Sequence, residues 1–194
     1  MSPAAEHDIF GPGARALGLA RQASGGRGFF TAVRRRQPDG TWLGPSDAVD
    51  LEARGLVQIP YTFGEPEEDR RARLASVVTL PASVPSQSSA PSLVPTPIGE
   101  PQGLDTIAFF AACRLAFPAA HVVADLEVLG HKLGQLCLSF GADELMGSIV
   151  PQREPRLGAR AASQELTRDE AAALLRAAGF APCERLPDGK VREL

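Results

Sequence analysis

Cysteine is scarce in this chain of 194 residues, and its three copies, Cys113, Cys137 and Cys183, stand far apart. They form no C-x-x-C pair and no short cluster-binding run, which excludes a zinc ribbon or a dithiol redox motif. Histidine is as rare: His7, His121 and His131 form no metal-spaced set, although folding can bring His121 and Cys137 together. Asp8, His7 and Ser24 are the residue types of a hydrolytic triad, but no G-x-S-x-G elbow accompanies them. Lysine occurs only at 132 and 190, so arginine carries the basic charge. No stretch approaches the ~20 apolar residues of a membrane span. Met1 to Asp8 has neither the basic region nor the apolar run of a signal peptide. The net charge of −3 offers no general attraction for nucleic acid or an acidic membrane surface. Arg34-Arg35-Arg36 is too short to change that and reads as a solvated helix end. A cytoplasmic protein with no nucleic-acid or membrane partner is expected.

What is present alternates between short β-like runs and amphipathic helices, the pattern of an α/β chain with a parallel sheet. The pattern predicts helices over 12–22, 46–53, 65–75, 104–117 and 130–140, and a last one from Thr167. Strands are expected at 29–33, 56–61, 77–80, 121–126 and 145–150. Thr167 and Glu170 have capping-box spacing, in which each side chain satisfies a backbone amide the helix leaves unpaired. Gly179 occupies the usual position just past a helix end. Residues 81–102 break the rhythm with prolines at 81, 85, 91, 95, 97 and 101. Proline lacks the amide donor and extends its predecessor, so the segment is no helix and reads as a long Pro/Ser-rich loop. The expected organisation is a flexible N-terminus over 1–11, one α/β domain over 12–186 with that loop inside it, and a tail over 187–194.

Several segments, in order, resemble the radical S-adenosylmethionine enzymes that make aminofutalosine, dehypoxanthinyl futalosine and the deazaflavin chromophore. The best are Gly103-Leu104-Asp105-Thr106-Ile107-Ala108 through Arg114-Leu115, then Leu129-Gly130-His131-Lys132-Leu133-Gly134-Gln135. Phe140-Gly141-Ala142-Asp143-Glu144-Leu145-Met146-Gly147-Ser148 is similar to the family's F-G-A-D-D-L-x-G-T. Leu166-Thr167-Arg168-Asp169-Glu170 to Ala178-Gly179-Phe180-Ala181-Pro182-Cys183-Glu184-Arg185 is similar to its L-T-R-E-E…A-G-x-x-P-V-E-R ending. Upstream, Glu52 to Gly64 and Glu68-Asp69-Arg70 resemble A-H-x-x-G-L…Y-G-H-x-E…E-D-R, and Ser24 to Phe30 sits where the family has G-G-G-A-E-x-F. No single motif decides the matter; their collinearity carries it.

The resemblance implies a half (β/α) barrel of about four to five parallel strands, roughly the second half of a family member. The family's cluster-binding C-x-x-x-C-x-x-C belongs to the first half, which this chain is expected to lack. Gly28 replaces the G-G-G-A-E glutamate, the Y-G-H histidine has no counterpart near Gly64-Glu65, and the P-L-x-F-H-P histidine falls at Ser83. Radical cleavage of adenosylmethionine needs a thiolate-held iron–sulfur cluster with one open iron, so autonomous catalysis is not expected. S-adenosylmethionine and a [4Fe-4S] cluster enter only if a partner chain completes the site.

Strand-end groups remain, because ligands of parallel α/β folds gather at the C-terminal ends of strands. Gly25, Gly26, Thr62 and Gly64 are candidates for cofactor contact, the first two within a Gly-Gly-Arg-Gly run whose amides suit a phosphate. Ser83, Asp125, Asp143, Glu144 and Ser148 are candidates for substrate contact, with Asp143 and Glu144 accepting from a ribose or amine and Ser148 donating. The plainer alternative for Asp143 is a cap on the turn after Gly141. The resemblance implies a non-catalytic or accessory descendant, linked to menaquinone biosynthesis by the futalosine route. The alternative is the substrate-side half of a split enzyme completed by a cluster-binding chain. Half a barrel leaves open edges and an apolar inner face, so the expected partner is the cluster-bearing enzyme, its N-terminal half, or a second copy.

Overall fold

The computed structural model describes residues 10–36, 39–78, 92–150 and 165–194. In chain order the elements are α1 (Phe10–Ser24), β1 (Arg27–Arg36), β2 (Trp42–Leu43), β3 (Val49–Asp50), α2 (Leu51–Arg54), β4 (Val57–Thr62), α3 (Glu67–Val78), β5 (Ser92–Ile98), α4 (Gly103–Ala116), β6 (His121–Asp125), α5 (Leu126–Ser139), β7 (Glu144–Gly147), α6 (Arg168–Ala177), β8 (Ala181–Arg185) and β9 (Val191–Glu193). The described strands form one sheet in the order β4-β5-β6-β7-β1-β8-β9, with β2 and β3 beside the outer end of β1. From β4 to β8 all pairs are parallel, and β9 closes antiparallel on β8. The chain is therefore α/β with a mostly parallel sheet.

Side chains alternate across a strand, so the register sorts residues into two faces. One face carries Phe30, Val122, Ala124 and Leu145, which pack with Ala20 of α1, Phe110 of α4, Leu138 of α5 and Leu175 of α6. Farther along it, Ile59, Tyr61 and Leu93 pack with Leu74 of α3 and Phe109 and Cys113 of α4. Tyr61 stacks on Phe109 at 4.4 Å and donates to Thr106 Oγ1 at 2.9 Å. All five long helices thus cover one face. On the other, Val33, Val94, Val123 and Met146 pack with Leu51 and Leu56 around the short α2; among the described residues no long helix lies on this face, called the helix-free face below.

The largest departure from the sequence expectation is β5. The segment read as loop over 81–102 supplies Ser92–Ile98, an interior strand with two prolines. The register explains how it tolerates them. In a parallel pair each residue turns its N–H and C=O to the same side. Pairing with β4 from Val57↔Leu93 to Thr62↔Ile98 turns Val94, Thr96 and Ile98 toward β4. Pro95 and Pro97 then face β6, whose ladder with β5 stops at Leu93↔Val122, so their missing amides cost no hydrogen bond. On β4, Pro60 faces the open edge, where Arg73 donates to its carbonyl, a defence against edge pairing.

Other expectations also shift. Residues 77–78, expected to begin a strand, end α3, and 79–80 lie outside the described residues. The helix expected over 46–53 is the β3 bridge followed by one turn, α2. Arg34 to Arg36 end a strand, not a helix. Counting the two-residue β3, seven of the described strands run parallel where four to five were expected; β5 was concealed by its prolines, and the sequence reading placed no strand at β8. The capping box at Thr167 forms, with Thr167 N–H donating to Glu170 Oε2 at 2.8 Å, and Gly179 has φ +79°.

Candidate functional site

Asp143 and Glu144 are adjacent and buried, and they face opposite sides of the sheet. Asp143, just before β7, belongs to the helix side. Its Oδ1 accepts from Arg114 Nη2 at 2.7 Å and from Val122 N–H at 2.8 Å, and its Oδ2 lies 2.7 Å from His121 Nδ1. Arg114 is wholly buried and donates also to Gly141 O at 2.8 Å and Ala120 O at 2.5 Å. Gly141 has φ +112°, and a methyl there would stand 2.6 Å from Arg114 Cβ. The F-G-A-D run is thereby accounted for as a clamp: glycine lets Arg114 pass and aspartate neutralises it. The carboxylate is fully engaged inside the protein, at the N-terminal end of the sheet.

Glu144 lies at the middle of the helix-free face. Arg54, at the end of α2, grips it with two bonds, Nη1–Oε1 at 2.6 Å and Nη2–Oε2 at 2.9 Å. Thr31 Oγ1 donates to Oε1 at 2.5 Å, and Arg185 Nη2 reaches Oε2 at 3.5 Å. Burial alone would raise this carboxyl's pKa; the Arg54 and Arg185 charges, with hydrogen bonds from Arg54 and Thr31, overcome it and hold the value at about 2. Arg185 lies with its guanidinium carbon 4.3 Å from the Phe29 ring centre, and Arg27 approaches the same ring at 5.6 Å.

The remaining sequence candidates separate. Gly25 and Gly26, with φ of +63° and +78°, end α1, and Gly26 N–H donates to Arg21 O at 2.7 Å. They stand before β1, at the end of the sheet opposite the rim expected to bind ligands. Thr62 and Gly64 are exposed at the C-terminal end of β4. Asp125 ends β6 and caps α5 by accepting from Glu127 N–H at 3.0 Å, and Ser148, just past β7, donates to Glu127 Oε1 at 2.5 Å. Asp125 and Ser148 therefore share the rim and one neighbour. Ser83 lies outside the described residues.

Gly28 also changes meaning. A methyl there would stand 2.7 Å from Phe180 Cβ and 2.9 Å from Leu175 Cδ2, within the helix layer. A glutamate at 28 would strike α6 and could not reach the helix-free face, so its absence is a packing requirement. Arg54, Thr31 and Arg185 were missed by the sequence reading. A buried carboxylate demands a cation, but Arg54 is 90 residues from Glu144, too far for any spacing rule to find.

All three cysteines are free and buried, and burial pushes each thiol above its ordinary pKa. Among the described residues no group of three His, Cys, Asp or Glu side chains could hold a metal ion. No described helix is long and apolar enough to cross a membrane. No family model matches the chain, and no curated protein matches it.

Proposed function

We propose that the chain is a non-catalytic accessory protein, descended from the barrel of an aminofutalosine synthase-like radical enzyme and serving menaquinone biosynthesis through a partner chain. The observation that carries this reading is the state of the cysteines. Three separated, buried thiols with raised pKa values are the opposite of the accessible thiolates a cluster needs. The collinear motifs are the ground for the ancestry and the pathway.

A partial-barrel architecture draws support from two features. Strands β4 to β7 lie side by side in chain order, and the long helices cover a single face, as in a barrel wall. The helix-free face is then the former barrel interior, and the Arg54–Glu144 pair fills its centre.

In the split-enzyme alternative the same face would be the substrate side, completed by a cluster-bearing chain. One experiment separates the readings. The tagged chain is recovered from its native cells, and its partners are identified by mass spectrometry. A complete radical enzyme with C-x-x-x-C-x-x-C and its own substrate half is the accessory outcome. A short cluster-bearing chain lacking that half is the split outcome. Recovery of neither contradicts both.

A further inference from the structure

Among the described residues the group around Glu144 is not electrically balanced. Arg54 and Arg185 supply two positive charges and Glu144 one negative; Thr31 and Ser92, the latter 3.4 Å from Arg54 Nη2, are neutral. Arg54 and Thr31 already satisfy the carboxylate, Arg54 with both of its η nitrogens within 2.9 Å. Arg185 is left with one long contact of 3.5 Å to an oxygen already taken, and the face of Phe29. Its Nε is buried and has no hydrogen-bond partner among the described residues. Only 12 % of its side chain is accessible, so water does little to disperse the charge. A buried cation left half-paired forfeits its hydration without full compensation, so a complementary anion gains by completing it. Glu184, the neighbouring carboxylate, is turned to the other face, where Arg168 and Arg192 hold it.

We infer that the helix-free face holds an oxyanion site at Arg185, taking the carboxylate or phosphate group of a small molecule, with Arg54 behind it and Phe29 as its floor. Guanidinium presents a planar fork of donors that matches either group, and it keeps that fork oriented by stacking on the ring. Arg27, over the same ring, adds a second cation at the outer side. The inference stands on this charge group and does not rest on the ancestry or partner proposed above.

The test is calorimetric titration of the full chain with inorganic phosphate and, separately, with acetate, at low ionic strength and with chloride-matched controls. Saturable binding of either anion is expected; tighter phosphate marks a phosphorylated ligand, tighter acetate a carboxylate one. Arg185→Met should weaken that binding at least tenfold, while Arg168→Met, on the other face, should leave it unchanged. Should Arg185→Met fail to fold, Arg185→Lys keeps the charge without the fork and should weaken binding severalfold. No binding to the wild-type chain, or binding undiminished by the Arg185 variants, overturns the inference.

Discussion

Asp143 and Glu144 differ by one position and live in different chemistry. Asp143 closes a buried clamp with Arg114, a fixed structural use of charge. Glu144 is buried among two arginines and a threonine, and its carboxyl is held at about 2. A folded pKa below the ordinary carboxylate value means that the ionised group stabilises the fold at pH above about 5. That contribution, on the order of 3 kcal/mol, is lost as pH falls from about 5 toward 2. Denaturant unfolding across pH 3 to 6 should therefore show stability rising with pH, and Glu144→Gln should flatten the rise while lowering stability at pH 7. An equally steep rise in the variant would remove Glu144 as its source. At this scale the sequence revealed the acidic pair and the glycine before it. It concealed their partners, because Arg114 and Arg54 meet them across 29 and 90 positions.

Elements were legible where local rules act alone. The last helix could be read from Thr167, Glu170 and Gly179, because caps are decided within one turn. Replacing Thr167 by Ala should cost about 1 kcal/mol, seen as a lower midpoint in urea unfolding with an unchanged slope. A neutral substitution would mean that packing of Ala171, Ala172 and Leu175 holds the helix start without the cap. β5 was illegible for the converse reason. Prolines at 95 and 97 are poor strand residues until it is known that both face the side where pairing with β6 has stopped. That knowledge belongs to the register, and no local pattern contains it. Gly28 teaches a similar point: its neighbours Phe180 and Leu175 arrive from the far end of the chain.

For the whole molecule, alternation of helix and strand predicted the α/β class, while strand order did not follow from it. β1 enters between β7 and β8, so the first strand and one of the last meet at the centre of the sheet. Among the described residues one face carries no long helix; α2 crosses it, and Arg54 on Glu144 ties it down. Under the proposed function that face is a barrel interior turned to a non-catalytic use, and the three thiols are core side chains with no cluster to hold. The most direct test is the yield of 5′-deoxyadenosine from the isolated chain, after anaerobic reconstitution with iron and sulfide and incubation with S-adenosylmethionine and a strong reductant. A non-catalytic chain should give none above a protein-free control. Turnover by the isolated chain would show that it builds a working radical centre, and would contradict the proposed function at its root.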